Sequence, residues 1–319
     1  MKSEGTPTVL EILDRESFTV SAEIIPPRNG ADITEIFQQI NELHEAGFHF
    51  ISVTHGAGGS LRGGTLPIAH YAQTKQNMTA IAHLTCRGFS REDLENILID
   101  HFYFGIRNIL ALRGDPPTGS EGTFEPHPRG YRFAYELIAQ IRNMNEGRYL
   151  VRPHFDPPGE YRPGLPTNFC IGAASYPEDP EPQRLEYLVK KKEAGAEFSI
   201  TQMVFDLRVL EDFYARVTEL WGHSFPILPG IRIPTSLTQL ERLEKKFGVS
   251  IPRDLRQSMA NAENKGAQAM HRVGEDWAVE FVEACRKMGI KGIHMFIMGN
   301  TTLPIKVKKR LRIPNYHAS

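Results

Sequence analysis

Side chains that can exchange protons recur in this sequence where short apolar runs end. Glu23 lies within one such run, His83 within another, and Asp115 at the end of a third. A carboxyl group or an imidazole can act as a general acid or base when its pKa lies near the working pH. Further polar residues at the ends of such runs are Thr54, His55, Arg113, Tyr176, Thr201 and Gln202. If the fold brings these ends together, they form a site for proton transfer.

Each of these residues, taken alone, also has a structural interpretation. Glu23 could be held in the interior by an arginine, because buried charges in proteins are usually paired. His83 could be a hydrogen-bonded core histidine. The sequence Arg113-Gly114-Asp115 could be a turn, in which glycine supplies an unusual φ and aspartate caps a helix. Only the recurrence of polar residues at the ends of many apolar runs favours an active site over these structural roles.

Metal binding is not predicted, because the sequence contains no HExxH, no HxH and no paired cysteines. The cysteines Cys86, Cys170 and Cys285 are far apart and form no CxxC. This spacing argues against a disulfide framework and fits a reducing compartment. The glycine-rich stretch 56–59 could approach a phosphate or a flavin, although it is a weak motif.

The composition is that of an ordinary globular protein, with 40% hydrophobic and 24% charged residues. The formal net charge of -1 creates no field that would attract nucleic acid or an anionic membrane. The first residues lack the apolar core of a signal peptide, and no uninterrupted apolar stretch is long enough to span a membrane. We therefore expect a cytoplasmic protein that binds neither nucleic acid nor membrane.

Apolar runs alternate with segments of helical period along the chain. The predicted strands are 18–25, 48–56, 79–86, 106–115, 168–177, 196–206, 225–231 and 292–299. The predicted helices are 32–47, 66–76, 90–105, 130–144, 182–195, 207–221, 236–247 and 271–289. Such repeats form either a closed (βα)₈ barrel or an open doubly wound sheet. The absence of GxGxxG and the polar ends of many strands favour the barrel. We predict an α/β fold, one (βα)₈ TIM barrel domain over residues 1–319.

Two segments interrupt the alternation. Residues 146–167 contain five prolines and no usable period, which predicts an irregular insertion before the fifth strand. Residues 248–265 lie outside the eight repeats and could hold an extra short helix. The basic tail 306–312 is typical of the C-terminal end of a last helix, where the helix dipole favours cations.

Taken together, the strand ends resemble the methylenetetrahydrofolate reductase family from residue 18 to about residue 300. One such motif would be weak, but seven in order are specific. The matching motifs are AEIIPPR (22–28), SVTHGAGG (52–59), AHLTC (82–86), ALRGDPP (111–117), AASYPE (173–178), KKKEAGAEFSITQMVFD (190–206) and PGI (229–231).

The resemblance implies a TIM barrel that binds FAD without a covalent bond and belongs to one-carbon metabolism and methionine biosynthesis. Family members pass a hydride from NAD(P)H to the flavin and then, in a ping-pong sequence, to methylenetetrahydrofolate. By position, Glu23 matches the general acid and Asp115 a carboxylate near the flavin and the pterin, while Thr54 and Gln202 match substrate-binding residues. The residues that match flavin contacts are His55, Ala57, His83, Leu112, Arg113, Gly114, Asp115, Phe133, Ala134, Ala174, Tyr176 and Lys191. We also expect a homo-oligomer.

The chain departs from the better-known family pattern at several positions. Pro180 replaces a histidine, Leu237 a phenylalanine, and Asn300 an arginine after the eighth strand. Phe296 and Met298 lie where that pattern has an aromatic residue and a leucine. These differences keep a second interpretation open, in which a partner redox subunit delivers the electrons. A subunit that only binds flavin or folate is a third, which the presence of Glu23 and Asp115 disfavours.

The replacement at Asn300 raises the question of which cations hold the dianionic glutamate tail of the folate. The candidates are Arg152 and Arg162 in the proline-rich insertion, and Lys306 and Lys308 after the eighth strand. Because a long loop beside the fifth strand could fold over the barrel rim, we expect the insertion to be a lid that carries these charges. The alternative is a surface or subunit-contact loop.

Overall fold

The computed structural model describes residues 6–56, 63–116 and 124–316. The barrel strands are β1 (Thr19–Ile24), β2 (Phe50–Val53), β3 (Thr79–Thr85), β4 (Asn108–Leu112), β7 (Cys170–Ser175), β8 (Phe198–Met203), β9 (Ile227–Ile231) and β10 (Gly292–Met295), and a separate hairpin contains β5 (Arg148–Leu150) and β6 (Tyr161–Pro163). The barrel strands are parallel, and their order is β1-β10-β9-β8-β7-β4-β3-β2, closed by the pairing of β1 with β2. The predicted TIM barrel is confirmed, and the open sheet is wrong.

One helix precedes the first strand, and the others follow strands and surround the barrel. They are α1 (Val9–Arg15), α2 (Thr34–Glu45), α3 (Thr65–Gln76), α4 (Arg91–Tyr103), α5 (Ala134–Asn145), α6 (Gln183–Ala194), α7 (Leu207–Trp221), α8 (Leu237–Phe247), α9 (Arg253–Glu263), α10 (Ala267–Lys287) and α11 (Thr302–Arg310). Helix α4 begins with a capping box in which Ser90 and Asp93 bond each other's backbone N–H groups. Helix α9 is the extra helix predicted within 248–265. No helix in the described part of the chain is long and apolar enough to cross a membrane.

The strand register decides which side chains point into the barrel. Side chains alternate along a strand, so Ser21 and Glu23 of β1 face the same side. Ser21 is paired with His294 of β10, and Glu23 with Ser52 of β2. Below this level the interior is apolar and includes the fully buried rings of Phe50 and Phe198. The polar layer therefore lies toward the carboxyl ends of the strands.

The N-terminal helix α1, which the sequence analysis did not predict, closes the opposite end of the barrel. Thr8 and Glu11 form a capping box that begins the helix. Val9, Ile12 and Leu13 are almost completely buried and belong to the same apolar cluster as the barrel interior. The backbone N–H of Val9 donates to the side-chain oxygen of Asn108, at the start of β4, over 2.8 Å. Helix α1 thus forms the floor of the barrel.

The proline-rich insertion does not form a lid. It connects α5 to β7, and a helix-to-strand connection enters a barrel strand at its amino end, opposite the site-bearing rim. The insertion also has more regular structure than predicted, since β5 and β6 pair as a short antiparallel hairpin.

The charges of the insertion are neutralised locally. Arg152 pairs with Asp156 over 2.7 Å, and Arg162 pairs with Glu95 of α4 over 2.9 Å. The Glu95 carboxylate also accepts from the backbone N–H of Leu150 over 2.8 Å. The expectation that this insertion covers the rim and holds the folate tail is therefore wrong: it packs against the outside of α4 and α5 instead.

Candidate active site

A cleft of about 1130 Å³ opens at the carboxyl ends of the barrel strands. All but one of the residues predicted for the site line it. They are Glu23, Thr54, His55, His83, Leu112, Arg113, Gly114, Asp115, Phe133, Ala134, Ala174, Tyr176, Lys191 and Gln202. The remaining one, Ala57, lies outside the described residues. The barrel therefore brings together residues that are up to 179 positions apart in the sequence.

Glu23 is a buried carboxyl group at the base of this cleft, 9% exposed. Within the described residues it forms no ion pair and accepts no hydrogen bond from a side chain or a backbone N–H. Burial raises the pKa of Glu23 from 4.5 to about 8, and the positive charge of Arg232 opposes this shift. The effect of desolvation on the pKa is larger than that of Arg232, because the arginine does not approach the carboxyl to ion-pair distance. Glu23 consequently holds a proton at neutral pH.

Three histidines in and beneath the cleft are uncharged. His294 bridges two serines, with Nδ1 2.8 Å from Ser21 Oγ and Nε2 3.0 Å from Ser52 Oγ. Burial lowers the pKa of His294 and of His83 to about 3, and that of His55 to about 4. Glu23 is therefore the buried group of this set that carries a transferable proton near neutral pH.

Two buried polar atoms at the cleft have no hydrogen-bond partner in the described structure, His83 Nε2 and Thr54 Oγ1. A buried polar atom without a partner costs about 1–3 kcal/mol, so such atoms are uncommon in a finished core. His83 is thus not the fully hydrogen-bonded core histidine of the alternative interpretation. Both atoms are suited to bind a polar ligand within the cleft.

The loop after β4 supplies Arg113, Gly114 and Asp115. Strand β4 ends at Leu112, three residues earlier than predicted, so these residues form a turn at the rim. Gly114 has a φ of +92°, and a Cβ atom there would lie 3.0 Å from Cβ of Arg87 and 3.2 Å from Cβ of Thr85. Glycine therefore lets the loop pass close to β3 while Arg113 and Asp115 face the cleft.

A buried cation lies on the wall formed by β7 and α6. Lys191 donates from Nζ to the carbonyl oxygen of Ala174 over 2.8 Å, and its Nζ is 5.4 Å from the ring centre of Tyr176. Burial lowers the pKa of Lys191 to about 8, while the nearby Asp179 opposes this shift. Burial likewise raises the pKa of Asp179, opposed by Lys191 and Arg113. This wall therefore presents two cations and one acid to a ligand.

Aromatic rings continue the same wall outward. Phe133, the N-cap residue of α5, stacks on Tyr135 with a centroid separation of 5.1 Å and on Tyr187 of α6 at 5.9 Å. All three rings line the cleft. The cleft thus combines an acid at its base, cations on one wall and flat apolar surfaces near its mouth, a combination that suits a large, flat, anionic ligand.

Several cleft residues on or next to β9, β10 and α8 were not predicted from the sequence. Arg232 follows β9 directly, and His294 lies on β10 beneath the cleft. Helix α8 contributes Gln239, Arg242 and Lys246. The PGI motif, immediately before Arg232, was the signal that could have found it. Gly230 of that motif is required because a Cβ atom there would lie 2.4 Å from the ring of Phe296.

The residues that depart from the family pattern have different surroundings. Phe296 and Met298 line the cleft. Asn300 is not among the residues that line it, and its side-chain oxygen accepts from the backbone N–H of Leu303 at the start of α11. Lys308 is 2% exposed and donates to the carbonyl oxygens of Ile313 and Pro314, while Lys306 lies 3.9 Å from Glu275. The two lysines, the other candidates for holding the folate tail, are therefore engaged by groups outside the cleft.

Fold and cleft together define a (βα)₈-barrel protein whose cleft, at the carboxyl ends of its strands, contains a buried carboxyl group. Among the residues that the structure describes, no cluster of three histidine, cysteine or acidic side chains could hold a metal ion. Residues 8–312 match the sequence profile of methylenetetrahydrofolate reductase. The chain belongs to the methylenetetrahydrofolate reductase family.

Relatives of this family occur in fungi, plants and bacteria. Methylenetetrahydrofolate reductase 1 of Schizosaccharomyces pombe is 31% identical over 89% of this chain and 44% of its own length. Methylenetetrahydrofolate reductase (NADH) 1 of Arabidopsis thaliana is 27% identical over 91% of this chain and 48% of its own length. The chain spans about half the length of these relatives. The 5,10-methylenetetrahydrofolate reductase of Escherichia coli is 27% identical to this chain, and the match covers 89% of this chain and 87% of the bacterial protein.

One solved structure has the same fold over nearly its whole length. It is described as an uncharacterized protein from Clostridium thermocellum that binds two copies of 5-methyl-5,6,7,8-tetrahydrofolic acid. The TM-score is 0.59 over 94% of this chain and 99% of that one, with 16% sequence identity. At this level of identity the likeness concerns the barrel architecture alone.

Proposed function

We propose that this protein reduces 5,10-methylenetetrahydrofolate to 5-methyltetrahydrofolate, with FAD as its cofactor and NAD(P)H as the electron donor. The observation that supports this most is the buried, uncharged carboxyl of Glu23, which lies in a cleft rich in cations and aromatic rings. Ring opening of the substrate requires a proton donor, and a carboxylic acid that stays protonated near neutral pH can provide it.

The cleft residues fit FAD. The unpartnered Nε2 of His83 can bond a polar edge of the flavin, and Arg113 and Lys191 can offset its phosphates or ring charge. Positions assigned to the flavin by the family resemblance are His55, Ala57, His83, Leu112, Arg113, Gly114, Asp115, Phe133, Ala134, Ala174, Tyr176 and Lys191. When bound, FAD would supply the transfer of a hydride between the two substrates.

Glu23 would act on the folate alone. Its proton passes to N10, the bond between N10 and the methylene carbon breaks, and the five-membered ring opens to a cationic iminium at N5. The carboxyl becomes a carboxylate in this step. Arg232 lies within electrostatic reach of Glu23, so it would stabilise the carboxylate that remains.

Asp115 and the neutral polar groups would position the substrate. Asp115 lines the cleft at the rim, where a carboxylate would favour the cationic iminium. Gln202 lines the cleft at the bulge in β8, and Thr54, whose buried hydroxyl has no partner, lines it as well, so both could bond the folate or the nucleotide. The uncharged histidines avoid repulsion with the iminium, because their pKa values lie well below neutrality.

The proposed electron donor is a pyridine nucleotide. The Arabidopsis relative is named for NADH, which supports a pyridine nucleotide. Phe296 lines the cleft where the family pattern has an aromatic residue, so a ring for stacking is present. In the second interpretation, a redox partner subunit delivers the electrons to the same site.

The proposal is tested on the purified protein. We expect it to be yellow, with about one FAD for each chain, and to lose its colour anaerobically with NADH or NADPH. Subsequent addition of methylenetetrahydrofolate should restore the absorbance of the oxidised flavin. A colourless protein that does not bind added FAD in a fluorescence titration would contradict the function. If the protein is yellow and is reduced by dithionite but by neither NADH nor NADPH, the result would favour electron delivery by a partner subunit.

A further inference from the structure

Helix α8 presents one face to the mouth of the cleft. Gln239, Arg242, Leu243 and Lys246 line the cleft, and their spacing places them on one side of a helix. Leu240 and Leu243 are buried and pack in a cluster with Met203 and Met259. The buried leucines fix the rotation of the helix, so that Arg242 and Lys246 reach the cleft while remaining exposed to solvent.

The position of α8 is fixed by a second contact. The carboxylate of Glu178, in the loop after β7, accepts from the backbone N–H of Ser250 over 2.9 Å and from its hydroxyl over 2.8 Å. Ser250 lies just after the end of α8. This contact ties the C-terminal end of the helix to the loop after β7, two strands away around the barrel, so the two cations are held at the mouth of the cleft.

Neither cation is neutralised within the described structure. Arg242 forms no ion pair and no hydrogen bond with the described residues, and Lys246 contacts only the ring of Phe247, 5.0 Å from its centre. By contrast, Arg256 of the neighbouring helix α9 binds both carboxylate oxygens of Glu244 over 2.9 Å. An acid of α8 is therefore already paired with a cation outside the cleft, while the cations that face the cleft remain available to an anion.

We infer that Arg242 and Lys246 bind the carboxylates of the glutamate tail of the folate. This inference rests on the proposed function and identifies the part of the site that holds the distal end of the substrate. Residues 232–246 run from Arg232, near Glu23, to the mouth of the cleft. A folate has its reacting ring at one end and its carboxylates at the other. If the ring lies beside Glu23, the tail therefore extends along residues 232–246 toward Arg242 and Lys246. A pyridine dinucleotide carries its negative charge on a diphosphate in the middle of the molecule, which fits two cations at the far end of the cleft less well.

Longer glutamate tails carry more carboxylates and should gain more from the two cations. Each exposed ion pair contributes little on its own, and its contribution falls as salt rises. We therefore expect a triglutamate to bind more tightly than a monoglutamate, and this difference to depend on Arg242 and Lys246.

The test measures binding rather than turnover. The dissociation constants of mono- and triglutamyl 5-methyltetrahydrofolate are measured by calorimetry on the FAD-loaded protein, with Arg242→Gln/Lys246→Gln compared with the parent. In the double variant we expect the dissociation constant of the triglutamate to rise on the order of tenfold. The triglutamate should then bind no more tightly than the monoglutamate. Lys245→Gln removes a neighbouring charge that does not line the cleft and should change neither constant. FAD content and the far-ultraviolet circular dichroism establish that each variant is folded.

The remaining outcomes separate this inference from the proposed function. If the parent binds neither folate, the proposed function itself is wrong. If the parent binds both and the double variant binds them equally well, the function stands and the tail is held elsewhere. If the double variant loses affinity for NADPH while its folate constants are unchanged, the two cations bind nucleotide phosphate and the inference is overturned.

Discussion

Arg232 lies within electrostatic reach of Glu23 without forming an ion pair with it. The two residues face one cleft from the ends of β9 and β1, strands that are separated by β10. The arginine lowers the pKa of the carboxyl, burial raises it, and burial has the larger effect, so that the pKa is about 8. A contact ion pair would have made Glu23 a permanent carboxylate. Their separation keeps the proton available.

The first prediction concerns the proton of Glu23. If Glu23 acts only on the folate, Glu23→Gln should leave flavin reduction by the donor nearly intact. Folate reduction should fall by about 10²-fold or more, the usual scale for the loss of a general acid. Stopped-flow measurement of the two half-reactions separates these effects. Equal losses in both halves would mean that Glu23 has a structural role.

The second prediction follows from the cost of burying Glu23. Between pH 4.5 and about 8 the folded protein holds a proton that the unfolded chain releases, so stability falls as pH rises through this window. Glu23→Gln removes this dependence and should stabilise the protein at pH 8 by a few kcal/mol, on the order set by the size of the shift. At pH 5 the effect should be much smaller.

Urea denaturation at the two pH values measures this effect. Glu219→Gln, at an exposed position on α7, is the matched control and should show no comparable gain. If Glu23→Gln is equally stabilising at pH 5 and pH 8, Glu23 does not change its proton affinity on folding.

The third prediction concerns Arg232. Because its positive charge favours the carboxylate, Arg232→Met should raise the pKa of Glu23 further. In the pH–rate profile of the folate half-reaction, the decline in rate at alkaline pH should therefore move to higher pH. This should hold even if the maximum rate falls because the carboxylate is less well stabilised. Arg253→Met, at the exposed start of α9, should leave the decline in place. A decline that moves to lower pH would contradict the assigned effect of Arg232.

The fourth prediction tests the position of the proline-rich insertion. Replacing residues 152–160 by a short Gly/Ser linker should leave the KM for methylenetetrahydrofolate and the FAD content unchanged, because the insertion packs on α4 and α5. The shortened segment would keep the contact between Arg162 and Glu95. A marked rise in the KM for methylenetetrahydrofolate in the folded variant would indicate that the insertion contributes to the active site.

The sequence predicted the barrel and most of its cleft because both depend on signals that are local. Alternating strands and helices define the barrel, and residues such as Glu23 and Asp115 lie at strand ends, where a barrel must collect them. Arg232 was missed although it directly follows the PGI motif, because a lone arginine after a strand has no distinctive spacing of its own. Its effect exists only through Glu23, which lies 209 positions earlier in the sequence.

Other errors have the same origin in distant contacts. Helix α1 spans seven residues, too few for a clear helical period, and its apolar residues share one cluster with residues of β2, β3, β4, β7, β8 and β9. The insertion was expected at the rim because its length is typical of a lid, whereas the side of the barrel on which it lies depends on its place between α5 and β7. The family motifs could not correct either error, because neither segment contains one.

The helical floor of the barrel also constrains the order in which this chain can fold. Helix α1 is synthesised before the barrel strands, yet it belongs to one apolar cluster with residues as distant as Phe198 and Leu228. Strand β1 acquires its second neighbour only when β10, at Gly292–Met295, has been synthesised. Contacts between such distant parts of a chain form slowly, because much of the chain must be ordered before they stabilise it. A nascent chain without β10 therefore exposes an edge of β1 and an unseated apolar helix, the features by which chaperones recognise unfinished proteins.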